Sequence, residues 1–330
     1  MPKIKYLKDK IFNISSHDDF NEIAIEIFHF QHENNIIYKQ FVDFLNIRTS
    51  SIDNYSKIPF LPVEFFKNHK VVSGEFIADA VFTSSGTTGM QTSKHFVADI
   101  ELYESSFIKT FELFFGSINN YVILALLPSY LDRTGSSLVY MANKLIGLSQ
   151  NSKSGFYLNE YEQLHALLLK LKENNQKVLL LGVTYALLDL AEQFPVDFPE
   201  MILMETGGMK GKRKELIRDE LHGKLKQAFK TPSIYSEYGM TELLSQAYSK
   251  GDGVFSTPPW MKVLIRDVND PLSILPVGKT GGINVIDFAN LYSCSFVSTQ
   301  DLGKVYSNNK FEILGRFDSS DVRGCNLMVI

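Results

Sequence analysis

The residues best suited to chemistry begin in a polar loop that separates two apolar segments. The loop reads VFTSSGTTGM, and its hydroxyl and glycine positions are Thr83, Ser84, Ser85, Gly86, Thr87, Thr88 and Gly89. Glycine lets the backbone approach a ligand closely, and hydroxyl and backbone N–H groups donate hydrogen bonds to phosphate oxygens. A Walker phosphate loop is excluded, because Met90 stands where that motif requires Lys. The loop therefore fits a phosphate cradle, although its composition alone also fits an inert connection.

Two later segments carry further polar groups that could complete a nucleotide site. Segment 234–242 reads IYSEYGMTE and supplies Tyr238, Gly239, Thr241 and Glu242. Segment 298–318 supplies Asp301, Gly315 and Arg316. Each residue has an ordinary alternative: Tyr238 in the core, Asp301 in a turn, and Glu242 in the first turn of a helix.

In this order the three segments resemble the signatures of the adenylate-forming superfamily, which includes acyl-CoA synthetases, aryl-CoA ligases and peptide-synthetase adenylation domains. Its Tyr-Gly-x-Thr-Glu motif is matched at residues 238–242, and its aspartate ahead of a Gly-Arg hinge is matched by Asp301, Gly315 and Arg316. The resemblance extends over residues 58–325. It implies ATP-dependent activation of a carboxylic acid as acyl-AMP, with release of pyrophosphate.

The resemblance implies a role in phosphate chemistry for two of the matched residues. Thr241 would donate its hydroxyl to the α-phosphate. Glu242 would hold Mg²⁺, a hard cation that prefers carboxylate and phosphate oxygens. Charge on both sides of the reacting phosphorus would thereby be stabilised.

The same resemblance places the nucleoside. Tyr238 would offer its aromatic face to adenine, and the turn at Gly207 and Gly208 would bring backbone close to the base. Asp301 would accept both ribose hydroxyls, since a carboxylate is an acceptor only. Arg316 would place a permanent positive charge near the ribose and phosphate.

Within the superfamily, four segments resemble the acyl-protein synthetase (LuxE) family: FTSSGTTG, LPSYLDRTGSSLVYM, ETGGMKGKRKEL and DVRGCNLM. The resemblance implies that a fatty acid is activated and then held as a thioester on the enzyme's own cysteine before it passes to a partner such as a reductase. Cys325 would be that nucleophile, and Arg323 would lower its pKa if it lies close. The alternative is an inert, buried Cys325, as we expect for Cys294.

The sequence departs from the superfamily pattern at two places. The usual Pro-Lys after the glycine-rich loop is replaced by Gln91 and Thr92, and either Lys94 or Lys210 could compensate. Typical members also continue past the Gly-Arg hinge into a small mobile domain that supplies a lysine, whereas this sequence ends shortly after Arg316. We therefore expect the large N-terminal domain without the mobile C-terminal domain.

Two other functions remain open at this point. An acyl- or aryl-CoA ligase, similar to phenylacetate-CoA ligase, could borrow its lysine from another chain, and its mark would be consumption of coenzyme A. A nucleotide- or acyl-binding subunit without turnover would bind ATP but release no pyrophosphate.

Composition excludes several other classes of protein. The 330 residues are 45% hydrophobic and carry a net charge of −4, so the chain lacks the basic surface expected of a nucleic-acid-binding protein. Its two cysteines cannot form a disulfide framework. Without a signal-peptide pattern or an apolar run of membrane-spanning length, we expect a cytoplasmic protein with no membrane insertion. An acyl-accepting partner protein and a homo-oligomer are both compatible with the sequence.

The order of apolar segments predicts an α/β fold. Strand-like runs alternate with helical patterns as far as residue 250, which favours a largely parallel, buried sheet. Later strand-like pieces, separated by glycine and proline, predict a smaller β-rich subdomain. We therefore expect an N-terminal helical segment at 1–57, a nucleotide-binding core at 58–250 and a β-rich subdomain at 251–330.

Three helix boundaries can be predicted from capping and apolar spacing. Ser16 is expected to cap the first of two helices within residues 17–47. Asn159 and Glu162 have the spacing of a capping box ahead of a helix with an apolar leucine stripe. A further helix is expected from about residue 212 to Phe229, with Ile217 on its apolar side.

Overall fold

The computed structural model describes residues 2–84, 91–128, 135–207, 213 and 216–317. Its α-helices are α1 Pro2–Ile11, α2 His17–Asn34, α3 Ile36–Phe44, α4 Phe65–Asn68, α5 Ile100–Phe115, α6 Ser137–Leu148, α7 Tyr161–Glu173, α8 Thr184–Gln193 and α9 Arg218–Phe229. Short 3₁₀ turns lie at Thr49–Ser51, Tyr55–Lys57, Ile118–Asn120 and Phe288–Asn290. None of the helices described is long and apolar enough to cross a membrane.

The strands divide between one large sheet and one small hairpin. They are β1 Leu61–Pro62, β2 Ala80–Thr83, β3 Lys94–Val97, β4 Val122–Leu126, β5 Gly155–Tyr157, β6 Val178–Val183, β7 Ile202–Thr206, β8 Tyr235–Tyr238, β9 Ala247–Ser249, β10 Val254–Ser256, β11 Met261–Arg266, β12 Thr280–Asp287, β13 Phe296–Val305 and β14 Phe311–Arg316. The large sheet runs in the order β11-β12-β13-β14-β10-β9-β8-β7-β6-β4-β5, with β1 beside β13, while β2 and β3 pair separately.

The large sheet is parallel at one end and antiparallel at the other. Strands β5, β4, β6, β7 and β8 are paired in parallel. From β8 through β9 and onward to β11, neighbouring strands are antiparallel. Every residue of β4 and β6 is buried, as expected of strands covered on both faces. The predicted α/β fold is confirmed, and the late strands continue the same sheet.

Two hydrophobic cores lie along this sheet. The first packs the parallel strands against helices α5 to α9. The second joins the N-terminal helices to the antiparallel strands; for example, the Phe20 and Phe288 rings lie 4.5 Å apart. Gln31, buried in α2, donates to the carbonyl oxygens of Asn290 and Leu291 at 3.0 Å each. The N-terminal helices therefore pack against the antiparallel half of the large sheet.

The helix starts show where capping patterns succeed and fail. Ser16 caps α2, and its side chain forms a capping box with Asp19. Asn159 does not cap α7, so that prediction was wrong. Glu160 is the N-cap instead, and its carboxylate turns back to accept from the backbone N–H groups of Leu158 and Asn159 at 2.7 and 3.1 Å.

Helix α9 begins later than its sequence pattern indicates. It starts at Arg218, and Ile217 is its N-cap in an extended conformation. The Ile217 side chain is 73% exposed, so its predicted place on the apolar face was wrong. Leu221, Leu225 and Phe229 are buried as expected. The error arose because Ile217 has the spacing of the helix's apolar residues along the sequence, although its backbone is extended and not helical.

Candidate active site

Strands β2 and β3 form a hairpin whose base holds the two ends of the glycine-rich loop. The backbone N–H of Ser84 donates to the Ser93 carbonyl at 3.1 Å, and the Ser93 N–H donates back to the Ser84 hydroxyl at 2.9 Å. The Thr83 N–H donates to the Gly135 carbonyl at 2.8 Å. The other predicted loop positions lie outside the described residues: Ser85, Gly86, Thr87, Thr88 and Gly89.

Two glycines follow the carboxyl ends of the neighbouring strands β7 and β8. In open α/β sheets this is the edge at which ligands bind. Gly207 follows β7 and has a φ of 79°, a left-handed conformation that favours glycine. Gly239 follows β8, and a Cβ there would lie 2.3 Å from Oε1 of Glu237, so a larger residue could not fit without displacing that carboxyl. Gly208 lies outside the described residues.

Tyr238, Asp301 and Arg316 come together from three strands. The Tyr238 hydroxyl donates to Oδ2 of Asp301 at 2.8 Å, and Nε of Arg316 lies 3.4 Å from Oδ1. Asp301 and Arg316 are direct partners in the β13–β14 register. Burial raises the pKa of Asp301, whereas Tyr238 and Arg316 act in the opposite direction and favour the carboxylate. The predicted aspartate and hinge arginine are thus adjacent in space.

The Tyr238 ring is largely enclosed by the protein. It is 8% exposed and packs edge-to-face on Phe255 and Phe311, at centroid distances of 6.1 and 5.8 Å. The tyrosine therefore has the core position that was one reading of the sequence, and its hydroxyl supports Asp301. A contact between its ring and adenine stays a prediction.

Glu242 is a buried carboxylate that faces two positive charges. Its residue is 6% exposed, and residues 239–246 form turns rather than a helix, which removes the alternative of a first-turn helix acid. The pKa of Glu242 is raised by burial, and a hydrogen bond from Ser93 and the charges of Arg316 and Lys67 oppose the rise. The Ser93 side chain lies beside it. Arg316 is therefore close to both Asp301 and Glu242, and it joins the second and third sequence segments.

The turn that carries Thr241 and Glu242 is held in place by Asp287 and Asn290, which belong to no sequence motif. Asp287 accepts from the backbone N–H groups of Leu244 and Ser245 at 2.9 and 2.8 Å. The Asn290 side chain donates to the Glu242 carbonyl at 2.8 Å. Burial raises the pKa of Asp287 to about 6, against the effect of its hydrogen bonds. Neither residue belongs to a recognisable motif, so only the fold reveals their role.

His95 connects the hairpin to the same turn. Its Nδ1 lies 2.9 Å from the Thr241 carbonyl and its Nε2 lies 2.8 Å from the Ser293 hydroxyl. A carbonyl oxygen accepts only, so Nδ1 carries the proton and Nε2 accepts from Ser293. Burial lowers the pKa of His95 to about 4, which keeps the ring neutral. His95 thereby ties strand β3 to the turn that carries Thr241.

A second buried glutamate, Glu237, stands one residue before the motif tyrosine. Its carboxyl accepts a short hydrogen bond from the Thr206 hydroxyl. Burial raises the pKa of Glu237 to about 7, and the nearby charge of Glu205 adds to this rise. Near neutral pH it is therefore partly protonated, unlike a carboxylate poised to bind a cation.

The cysteine and lysine predictions have different outcomes. Cys294 is fully buried, its thiol donates to the Phe296 carbonyl at 3.4 Å, and burial raises its pKa to about 12. It is a core residue, as expected. Lys94 is exposed at the start of β3. Cys325 and Lys210 lie outside the described residues, so their roles stay predictions.

The chain resembles solved structures of adenylate-forming ligases. ATP-bound MatB from Rhodopseudomonas palustris aligns with a TM-score of 0.55 at 20% identity, over 74% of this chain and 50% of that one. An open conformation of 2-hydroxyisobutyryl-CoA ligase, in complex with 2-HIB-AMP and CoA, aligns with a TM-score of 0.64 at 12% identity, over 93% and 72%. A luciferase-like enzyme from the Zophobas morio mealworm aligns at 0.50 and 16%, over 75% and 60%.

The chain has the fold of the large N-terminal domain of adenylate-forming enzymes. It spans about half the length of MatB. No protein-family model and no curated protein matches the sequence. The structural likeness therefore establishes the adenylate-forming fold, and the activity has to be argued from the site.

The few oxygen ligands that the protein offers near Glu242 fit a cation that is held mainly by the phosphate oxygens of a substrate. Among the described residues there is no group of three or more His, Cys, Asp or Glu side chains that could hold a metal ion alone. Mg²⁺ usually takes one or two carboxylates together with phosphate oxygens and water. The buried Ser93 side chain lies beside the Glu242 carboxyl, so the two residues could hold the ion together with phosphate oxygens and water.

Proposed function

We propose that the protein activates a carboxylic acid with MgATP to form an acyl-AMP and pyrophosphate. The observation that supports this most strongly is the position of Arg316, whose side chain lies 3.4 Å from Asp301 and whose charge also acts on Glu242. The second and third of the sequence segments that match one superfamily thereby meet beside the carboxyl end of β8. An accidental match would not be expected to assemble in this way.

In the proposed reaction, a carboxylate oxygen of the acid attacks the α-phosphorus of ATP. The bond between the α-phosphorus and the bridging oxygen breaks, and pyrophosphate leaves with the electron pair. Asp301 orients the ribose by accepting from its hydroxyls, and Thr241 donates to the α-phosphate. Mg²⁺, held by Glu242, neutralises charge on the phosphates when it is bound. The protein contributes mainly position and electrostatic stabilisation.

We further propose that a thiol takes the acyl group from the adenylate. The thiolate attacks the carbonyl carbon of the mixed anhydride, a thioester forms, and AMP leaves. Cys325 is our candidate for this thiol, with a fatty acid as the substrate and a partner protein as the final acceptor. The proposal rests on the resemblance of residues 321–328 to the acyl-protein synthetase family.

A second candidate is a CoA ligase. The alignment with 2-hydroxyisobutyryl-CoA ligase, which covers 93% of this chain, favours it, because that protein was solved with both an acyl-AMP and CoA. Coenzyme A would then replace the protein thiol as the acceptor.

The test is pyrophosphate release from ATP with a panel of fatty and aromatic acids. Release that depends on one of the acids supports adenylation, while ATP binding without release from any acid favours a binding subunit. An experiment with a labelled acid then distinguishes the two candidate thiol acceptors, Cys325 and coenzyme A. Label that survives denaturation in wild type and Cys294→Ala but not in Cys325→Ser supports Cys325, whereas consumption of coenzyme A without bound label favours the CoA ligase.

A further inference from the structure

A basic pocket of about 460 Å³ lies next to the glycine-rich hairpin, between α4 and β3. Its polar lining consists of Lys67, Asn68, His69, Lys70, Gln91, Thr92 and Lys94. No carboxylate lines it among the described residues. The pocket therefore concentrates positive charge in a concave surface, which is the arrangement that attracts an anion.

The lysine charges of this pocket are not neutralised by the protein. Within the described part of the chain, no ion pair joins Lys67, Lys70 or Lys94 to a carboxylate. The Lys70 ammonium is placed 5.2 Å from the centre of the Phe96 ring. The three ammonium groups therefore line one space without an ion pair to any described carboxylate.

The pocket and the candidate active site lie on either side of β3, because Lys94 and Phe96 line the pocket whereas Ser93 and His95 contact the site. The Gln91 side chain donates to the Lys67 carbonyl at 2.8 Å, which ties the segment after the glycine-rich loop to α4. Lys67 is half-buried, and its charge acts on the Glu242 carboxylate. The fully buried Ser93 side chain lies beside the same carboxylate. Lys67 is therefore the pocket residue whose charge reaches the proposed reaction centre.

We propose that Lys67, Lys70 and Lys94 form a diphosphate-binding pocket that receives the pyrophosphate part of ATP and releases it as the product. This inference rests on the proposed adenylation. The loop lysine of related proteins is replaced here by Gln91 and Thr92, and Lys67 supplies a positive charge from a different element. As the bond to the α-phosphorus breaks, negative charge grows on the leaving pyrophosphate, and lysines already in place stabilise it.

Direct binding of pyrophosphate by the full chain tests the pocket without requiring turnover. Calorimetry with magnesium pyrophosphate should show binding that weakens as salt is raised. Lys67→Met and Lys70→Met should each weaken it at least about tenfold, the cost of one lost charged hydrogen bond, whereas Lys67→Arg should restore most of the affinity. Lys153→Met, on an exposed residue outside the pocket, is the matched control and should bind like wild type.

Two further ligands identify what the pocket recognises. Orthophosphate should bind at least about tenfold more weakly than pyrophosphate, because it cannot reach two lysines at once. Coenzyme A should compete less well than pyrophosphate. Equal affinity for orthophosphate and pyrophosphate, or lysine variants that lose coenzyme A but keep pyrophosphate, would overturn the proposal.

Failure of the pocket and failure of the adenylation proposal give different results. If wild type releases pyrophosphate with an acid while Lys67→Met has an unchanged KM for pyrophosphate in the reverse reaction, the pocket assignment is wrong and adenylation stands. If no acid supports turnover but pyrophosphate binding is lost in the lysine variants, the pocket stands and the activity proposal fails.

Discussion

At the scale of single residues, the Asp301 carboxyl is a buried group with two partners that favour its charged form. It is 8% exposed, yet one oxygen accepts from Tyr238 and the other lies against Arg316. Burial alone would favour the protonated acid, and the two partners oppose this effect. The charged form can accept two hydrogen bonds from a ribose, as the proposed function requires.

Asp301→Asn should weaken ATP binding by about 10- to 100-fold, since an amide offers only one acceptor oxygen and no charge. The volume is conserved, and the remaining oxygen can still accept from Tyr238, so the fold should be retained. ATP titration by calorimetry measures the effect, with Asp270→Asn in an exposed loop as the charge-matched control. Equal affinities for Asp301→Asn and wild type would exclude the ribose role.

The sequence identified Asp301, Glu242 and Arg316 because each belongs to a motif with fixed neighbours. No sequence pattern predicts a role for His95, Asp287 or Lys67, because they act on residues in distant segments of the chain. For example, His95 and Thr241 are 146 positions apart along the chain. A pairwise contact of this kind leaves no local spacing pattern, so the supporting residues could only be found once the fold was known.

At the scale of elements, the β2–β3 hairpin depends on a neutral His95. The folded-state pKa of about 4 lies below the ordinary value of 6.5, so the unfolded chain binds this proton more readily than the folded one. The contribution of the neutral ring to stability is therefore fully present above pH 6.5 and is lost as pH falls toward 4.

Wild type should lose about 2 kcal/mol more unfolding free energy than His95→Asn between pH 7.5 and 4.5, because the variant lacks this titration. Urea unfolding at the two pH values measures the difference. The asparagine amide can still donate to the Thr241 carbonyl, so the variant should fold at neutral pH. Identical pH dependence in both proteins would show that His95 is not held neutral by burial.

The turn of residues 240–246 depends on Asp287 in a similar way. Its two oxygens accept from three backbone N–H groups and from the Ser245 hydroxyl. Asp287→Ala leaves these buried donors unpaired and should cost about 3–5 kcal/mol of unfolding free energy. Urea unfolding at pH 7 tests this, with Asp287→Asn expected to fall between the alanine variant and wild type. A loss below about 1 kcal/mol for alanine would mean that the turn is held elsewhere.

Elements with a strong apolar pattern were predictable, and their boundaries were less so. The continuous apolar runs predicted strands β4 and β6, and the leucine spacing predicted helix α7. The start of α7 was missed because the Glu160 side chain reaches back to the backbone, which a capping-box pattern does not include. Ile217 was misplaced because periodicity does not distinguish a helical residue from an extended one just before it.

At the scale of the whole molecule, one continuous sheet supports two cores and the candidate site. The alternation of strands and helices predicted the parallel half. That the antiparallel strands extend the same sheet, and that α1 to α3 pack on them, was not evident from the sequence. Pairings such as β10 with β14, which are far apart along the chain, depend on tertiary contacts that no local pattern records. The predicted boundaries near 57 and 250 stay predictions.

The most direct test of the account is acid-dependent incorporation of labelled pyrophosphate into ATP, which detects reversible adenylation without any thiol acceptor. Two buried glutamates provide a matched pair. Glu242→Gln removes the proposed Mg²⁺ ligand and should lower the exchange rate by about 100-fold or more. Glu237→Gln replaces a carboxyl with a pKa near 7 by its neutral isostere and should have little effect. Exchange in wild type and Glu237→Gln but not in Glu242→Gln is the predicted result; equal rates for all three, or ATP binding without exchange for any acid, would contradict it.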